Sequence, residues 1–282
     1  MRPQNVWNIV FRFARRHRLA AVGGAIAVVF LLLALLAPWL APHDPSKIAM
    51  GNALRPPGSE FPLGTDHLGR DLLSRIIYGA RISLSISCAA VAISMSIGVF
   101  LGLLAGWSRR LDMPIMRMMD VLLCFPGIIT ALTIIAVLGI GSINIVIAIA
   151  IAQVPQFARV ARSLTLSVKE NAYVEAAVSI GAKAQRILGR HILPNIFAPL
   201  LVQLTLLIPA GIMTIASLSF LGLGVRPPTA EWGSMLQGSL QWARLAPHVM
   251  IFPGLALMLV VFAFNTLGDG LRAALDPRLR SK

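Results

Sequence analysis

Long apolar runs separated by short polar connections occupy most of the chain. A helix needs about 20 predominantly apolar residues to cross the hydrocarbon core of a bilayer, which is about 30 Å thick. Runs of about this length predict six spans, at 19–40, 82–106, 121–140, 142–158, 196–223 and 248–268. The predicted fold class is therefore an all-α integral membrane protein with six transmembrane helices and both termini on one side of the membrane.

The polar connections divide the chain into four predicted regions. Residues 1–41 hold the N-terminal segment and the first span, 42–81 an extracytoplasmic loop, 82–272 the main transmembrane domain, and 273–282 a tail. The loop is rich in Pro and Gly, which favours irregular structure, and it is predicted to end in an interfacial helix. Thr65 or Asp66 is the expected N-cap of that helix.

Composition and charge placement argue against a soluble nucleic-acid-binding protein. The chain is 57% hydrophobic and 13% charged, which is about half the charged fraction of a soluble domain. Its net charge of +14 comes from 25 Lys and Arg residues, of which eighteen fall on the side of the termini and seven on the other. Because Lys and Arg are enriched in cytoplasmic loops, the termini and the connection at about 165–194 are predicted to be cytoplasmic.

The connection between the fourth and fifth spans carries the most ordered polar pattern. A short helix is predicted whose apolar face comprises Val174, Ala177 and Val178, with Ile180 nearby. Gly181 is placed to end it, because glycine adopts the left-handed cap conformation without strain. A second short helix is predicted from about 183 to 191, before Pro194 stops it. Helices of two or three turns are marginal alone in water, so both are expected to dock on another structure.

The spacing of this connection resembles a known motif. It reads Glu175-Ala176-Ala177, three residues, Gly181, nine residues, then x-x-Leu193-Pro194. This arrangement resembles the cytoplasmic coupling loop of permease subunits from bacterial binding-protein-dependent ABC importers. Arg190-His191 resembles the variant of the dipeptide, oligopeptide and nickel branch. The segments 62–71 and 79–84 and the terminal Asp276-Pro277-Arg278 resemble the C-type permease of that branch, so the likeness covers nearly the whole chain.

The resemblance implies an ABC importer type I (MetI-like) permease fold in the bacterial inner membrane, with the coupling loop between helices 4 and 5. It also implies a heterodimer with a homologous B-type permease, two cytoplasmic ATPase subunits and a periplasmic solute-binding protein. This chain would bind no cofactor, because ATP and Mg would lie on the ATPase subunits. Glu175 is expected to pair with a basic group of the ATPase. The residues assigned to coupling are Tyr173, Glu175, Ala176, Ala177, Gly181, Ala182, Arg190, His191, Leu193 and Pro194.

Several function classes lack the residues that they need. The central part of each predicted span contains no Asp, Glu, Lys, Arg or His, whereas ion-driven transporters place ionisable groups at that depth. The chain also lacks the phosphate-binding Gly-x-x-x-x-Gly-Lys-[Ser/Thr] loop and any hydrolase signature. A secondary transporter and an enzyme are therefore disfavoured, and an ATPase is expected on another polypeptide.

Polar and kink-forming residues inside the spans are candidates for a translocation path. Gln153 and Gln156 in the fourth span, with Pro209 and Gly211 in the fifth, are the candidates for this role. Gln153 has an alternative role, in which its amide ties two helices together. Pro126-Gly127 and Pro209 predict local kinks, either as gates or as ordinary features of membrane helices.

Four further groups have simpler interpretations. A face of small residues, Ala90, Ser94, Gly98, Gly102 and Gly106, predicts close packing against a helix of this chain or of a partner. Asp66, His67, Arg70 and Asp71 look like a catalytic cluster, but caps and ion pairs are favoured because no nucleophile is suitably spaced. Cys88 and Cys124 are expected to be small buried hydrophobic residues. Trp232 and Trp242 suit a membrane-interface belt, or a loop that receives a binding protein.

The leading functional interpretation is a permease subunit that passes di- or oligopeptides by alternating access. Alternatives that stay open are an ABC permease for nickel, glutathione or an opine-like solute, and a membrane docking subunit that transports nothing.

Overall fold

A computed structural model describes residues 17–275, which are almost entirely helical. The basic residues before His17 and the terminal Asp276-Pro277-Arg278 lie outside the described residues. The helices are α1 Arg18–Leu35, α2 Ala37–Leu40, α3 Leu72–Trp107, α4 Arg109–Leu123, α5 Gly127–Leu138, α6 Ser142–Lys169, α7 Ala172–Ser179, α8 Ala184–Ile187, α9 Leu193–Phe220, α10 Trp232–Ser239 and α11 His248–Leu275. Within this part of the chain, α1, α3, α6, α9 (with α8) and α11 are long and apolar enough to cross a membrane, and the bent pair α4 and α5 would make a sixth span.

The centre of the bundle is the contact between α3 and α6. A Cβ added at Gly98 would lie 2.6 Å from Cβ of Phe157, and one at Gly102 would lie 2.5 Å from the carbonyl oxygen of Ala158. The predicted packing role of the small-residue face is therefore confirmed, and the neighbouring helix belongs to this chain. Because the α3 glycines lack side chains, the backbones of the two helices approach closely along several turns.

The third predicted span is broken rather than continuous. Helices α4 and α5 meet at an angle of 90° across Cys124–Pro126. Pro126 has no N–H to continue the ladder of α4, and it lies directly before α5, where that loss is harmless. The prediction of a kink at Pro126-Gly127 is confirmed, but a single helix over 121–140 is wrong. With 12 residues, α5 is about 18 Å long, well short of a full membrane crossing.

The separate interfacial helix predicted near Asp66 is wrong. The helix begins at Leu72 and runs without interruption into the second span, and its N-cap is Asp71, whose Oδ2 accepts the Ser74 N–H at 2.9 Å. Asp66 instead organises the preceding turn by accepting the N–H groups of Leu68 and Arg70. Its carboxylate also lies 2.6 Å from Arg70 Nε. The interpretation of this cluster as caps and ion pairs is confirmed.

The Glu231-Trp232-Gly233 segment is inserted into the bundle, so the prediction of an interface belt is wrong for Trp232. Trp232 is fully buried, and its indole Nε1 donates to the Ile76 carbonyl at 3.1 Å. The ring fits only because Gly79 has no side chain, since a Cβ there would lie 2.7 Å from it. Sequence hydropathy could not distinguish this buried site from an interfacial one.

The second predicted interfacial tryptophan, Trp242, and the two cysteines differ in burial. Trp242 is half-buried and stacks on His67 with ring centroids 6.4 Å apart. Cys88 is half-buried, whereas Cys124 is exposed at the break between α4 and α5, so its expected burial is wrong in the isolated chain.

Candidate coupling site

Helix α7 ends as its sequence predicts. Gly181 adopts φ +79°, and its N–H donates to the Val178 carbonyl at 2.9 Å. The Ala182 N–H donates to the Ala177 carbonyl at 3.1 Å, which completes a Schellman cap. The cap turns the chain sharply, so α7 and α8 form a compact two-helix projection after α6.

One edge of α7 anchors this projection to the bundle. Val174 is 1% exposed and packs in the main core cluster together with Ala177 and Ile187. Val178, predicted on the same helical face, and Ile180, predicted near it, are 52% and 85% exposed. A two-turn helix lying across the ends of other helices contacts them through a narrow edge, which leaves part of its apolar surface uncovered.

An open groove of about 680 Å³ lies between α7 and the segment that runs from the Gly181 cap through α8 to His191. Its lining residues are Tyr173, Ala176, Ala177, Ile180, Gly181, Ala182, Lys183, Arg186 and His191. Lys183 and Arg186 are basic residues at its rim, and the Tyr173 and His191 rings lie 6.3 Å apart. The groove therefore offers an apolar floor with a basic rim. Glu175 is exposed on the helix beside it, and no ion pair joins its carboxylate to another described residue.

Pro194 does not stop the second helix, so that prediction is wrong. Helix α8 passes through a π-helical turn, Leu188–Ile192, directly into α9. Pro194 lies in the first turn of α9, directly after the π-helical turn, and the helix continues through it. Arg190 and Pro194 are exposed, and His191 and Leu193 are half-buried. The coupling loop and the fifth span are therefore mechanically continuous.

Three of the four path candidates meet inside the bundle. Gln153 is 5% exposed, and its Nε2 donates to the Leu207 carbonyl at 3.2 Å, which ties α6 to α9. Pro209 and Gly211 are buried on the facing helix, and a Cβ at Gly211 would lie 3.6 Å from Gln153 Nε2. Gln156 is exposed one turn further along α6. Their assignment to a translocation path stays a prediction.

A charged contact between α4 and α6 was missed at the level of sequence. Arg159 pairs with Asp120, and Arg162 pairs with Asp112. Each residue is 39 or 50 positions from its partner, so local patterns gave no sign of the pairing. The available signal was that two aspartates on α4 and two arginines on α6 lie at the same end of adjacent predicted spans.

Comparison with known proteins places these features in a family. Residues 98–281 match the family of the binding-protein-dependent transport system inner membrane component, and residues 5–57 match the N-terminal TM domain of oligopeptide transport permease C. The chain is 44% identical to the dipeptide transport system permease protein DppC of Alkalihalophilus pseudofirmus, covering 98% of this chain and 91% of that protein.

Two further relatives are equally similar. The di/tripeptide transport system permease protein DppC of Pseudomonas aeruginosa is 46% identical, over 94% of this chain and 90% of its own. The glutathione transport system permease protein GsiD of Pectobacterium atrosepticum is 46% identical, over 96% and 90%. Among solved structures, the inward-facing MetNI methionine ABC transporter is similar in fold, with a TM-score of 0.59 at 19% identity, covering 73% of this chain and 97% of that one.

Proposed function

The chain belongs to the family of binding-protein-dependent transport system inner membrane components, as a non-enzymatic permease subunit of an ABC importer, and we propose that it passes short peptides into a bacterial cell. The observation that carries the proposal is 44–46% identity, over at least 94% of the chain, to permeases named for dipeptides, di/tripeptides and glutathione. Glutathione is itself a modified tripeptide, so these names define one chemical class of solute.

Glutathione is the second candidate solute within that class. The glutathione permease is as similar to this chain as the di/tripeptide permease is, at 46% identity each. The cognate binding protein, titrated by calorimetry with dipeptides, tripeptides, glutathione and nickel, separates the candidates. Binding of nickel alone would contradict the proposed solute class.

The groove beside α7 supports docking of a separate ATPase subunit. Its exposed apolar residues, Tyr173 and Ile180, are 46% and 85% exposed without a described partner surface. The basic rim fits an acidic partner, and Glu175 beside it fits a basic one, so the charges can fix the orientation of docking. Closure of two ATPase subunits would move α7 and, through the continuous α8 and α9, rock the spans between inward-open and outward-open states.

The assembly that we propose contains this chain, a homologous B-type permease, two cytoplasmic ATPase subunits and a periplasmic solute-binding protein in the bacterial inner membrane. The distribution of Lys and Arg supports cytoplasmic termini and a cytoplasmic α7, because eighteen of these residues fall on that side. With Cys88 and Cys124 replaced by Ser, accessibility of a single cysteine introduced at Glu175 to an impermeant reagent tests this orientation in intact cells.

Reconstitution of the complex into proteoliposomes tests transport directly. Uptake of labelled peptide is expected to require ATP and the binding protein, and to persist when ion gradients are collapsed. Uptake by this chain alone, or uptake that follows an ion gradient, would contradict the proposal.

A charge reversal at Glu175 tests the docking scheme. We expect Glu175→Arg to lower uptake by about tenfold or more, because like charges across an interface cost several kcal/mol. Glu170→Arg is the matched control, since Glu170 is also exposed but lies at the end of α6, outside the groove. Equal uptake by the two variants, at equal amounts in the membrane, would show that Glu175 does not face the ATPase.

A further inference from the structure

Two ion pairs join α4 to α6 near the end of the bundle that carries the coupling loop. Arg159 Nη2 lies 2.6 Å from Asp120 Oδ1. Arg162 donates from Nε and Nη2 to both oxygens of Asp112, at 2.5 and 2.6 Å. These are the two carboxylates of α4 and the two arginines of α6. Every carboxylate of one helix therefore meets an arginine of the other.

These pairs bridge two helices that otherwise make limited contact. An open groove of about 610 Å³ runs between them, and Arg109, Met113, Met116 and Arg117 complete its lining. Apolar contact is limited to a small cluster in which Met119 packs on Val154 and Ala158. On its other side, α6 is interlocked with α3 through glycines. Helices α3 and α6 therefore form one rigid unit. Helix α4 follows α3 after Ser108 and packs on it, and it is joined to α6 by the two ion pairs and this small apolar cluster.

The coupling loop is connected to this rigid unit at the end of α6. Helix α7 begins three residues after Lys169, the last residue of α6. Lys169 Nζ donates to the Trp107 carbonyl at 2.9 Å and lies 5.0 Å from the centre of the Trp107 ring, which ties the ends of α3 and α6 together. A displacement of α7 is therefore carried directly by α6.

We propose that the Arg159–Asp120 and Arg162–Asp112 pairs transmit this displacement to the broken third span, so that α4, and α5 beyond the 90° break, follow the coupling loop during transport. The inference rests on the proposed function. It assigns the four residues as positioning residues, which make α4 and α5 move together with α6. Neither the coupling loop nor the path candidates contact α4 in this way.

The exposure of the pairs suits a contact that must rearrange. The Arg159 and Asp120 side chains are 52% and 47% exposed, and a solvent-screened pair of this kind is weak. The bidentate Arg162–Asp112 pair is less exposed, at 34% and 26%, and is the stronger of the two. Arg109 and Arg117 line the same groove, so they offer the two aspartates second partners once the helices shift. The contact can therefore transmit movement without locking one state.

The test compares transport with ATP hydrolysis in the reconstituted complex. Asp112→Asn, Asp120→Asn and the double variant are measured beside the wild type, with Glu60→Gln as the control. Glu60 pairs with Arg55 in the extracytoplasmic loop at 3.1 Å, so the control removes an exposed ion pair far from α4. We expect binding-protein-stimulated ATP hydrolysis to continue in the double variant, while peptide transported per ATP falls by about fivefold or more, the lower end of usual coupling effects.

A charge exchange distinguishes transmission from a loss of folding. Asp112→Arg combined with Arg162→Asp restores opposite charges across the same gap, and we expect it to recover most of the transport ratio lost in Asp112→Arg alone. An unchanged ratio in every aspartate variant, or no recovery in the exchanged pair at equal assembly, overturns the inference while wild-type uptake upholds the proposed function. A wild-type complex without ATP-dependent uptake overturns both.

Discussion

A methyl group added at Gly102 tests whether α3 and α6 are held by direct backbone contact. The added Cβ would lie 2.5 Å from the Ala158 carbonyl oxygen and 2.6 Å from the Ala161 Cβ. These atoms belong to a helix backbone and a methyl group, and neither can rotate away. Ordinary contact begins at about 3.4 Å, so the helices must separate by roughly 0.9 Å at this turn.

The size of the effect follows from overpacking and helix propensity. Forcing an extra methyl group into a packed interface costs about 1–3 kcal/mol, whereas Ala is favoured over Gly inside a helix by about 1 kcal/mol. Gly24→Ala on α1 isolates the propensity gain, because a Cβ there meets only Leu267 Cδ1, at 3.5 Å. The difference between the two variants should therefore report the overpacking alone.

The assay is thermal unfolding of the purified complex, followed by tryptophan fluorescence in one detergent. We expect Gly102→Ala to unfold about 2–12 °C below Gly24→Ala, since 1 kcal/mol corresponds to about 2–4 °C for a chain of this size. Equal midpoints for the two variants would refute the reasoning, because the close approach of the helices at Gly102 leaves no room for a methyl group without movement.

Three further changes probe the cap, a buried carboxylate and a histidine. Gly181→Ala should speed amide hydrogen exchange in residues 172–179 about fivefold, because φ +79° disfavours a side chain by about 1 kcal/mol or more. Gly189→Ala is the control and should leave the exchange rate unchanged, because Gly189 is equally free of neighbours but has no positive φ. Glu231→Ala should lower the unfolding midpoint by several degrees, because it strands the Gly233 and Ser234 N–H groups. Burial raises the pKa of Glu231 above its ordinary 4.5, so the contribution of Glu231 to stability should fall as pH rises from 4.5 towards that higher pKa. The difference between the pH-dependent melting curves of the wild type and Glu231→Gln should show this contribution. Burial lowers the pKa of His67 below 6.5, so the contribution of His67 to stability should fall as pH drops below 6.5. Parallel melting curves of the wild type and His67→Gln over this range would contradict the assignment.

Local and periodic signals predicted the features that depend on neighbouring residues in the chain. The left-handed conformation of Gly181 followed from its place after an apolar face, because the cap is made within six residues. The packing of Gly98 and Gly102 followed from their four-residue spacing, which places them on one helix face. Both features could be predicted without knowing a distant partner. Only the structure identified α6 as the helix on which these glycines pack.

The errors lie where distant contacts overrule local preference. Trp232 was predicted to lie at the membrane interface because tryptophan is enriched there. Gly79, 153 positions earlier, has no side chain, and this leaves a buried site for the Trp232 ring. The observed N-cap is Asp71 rather than the predicted Asp66, because the Asp66 carboxylate pairs with Arg70. A single sequence gives the residue types of both partners, but it does not show that two distant residues are in contact.

The arginines of α6 carry two constraints that the sequence alone does not separate. Arg159 and Arg162 contribute to the positive charge that predicts a cytoplasmic end for α6, and a topological role requires only their charge. Their pairing with Asp120 and Asp112 adds a geometric requirement, because the bidentate contact of Arg162 uses two nitrogens of a planar guanidinium. The same basic residues can therefore meet the charge requirement for orientation in the membrane and attach α4 to α6, the helix that our proposal couples to the ATPase.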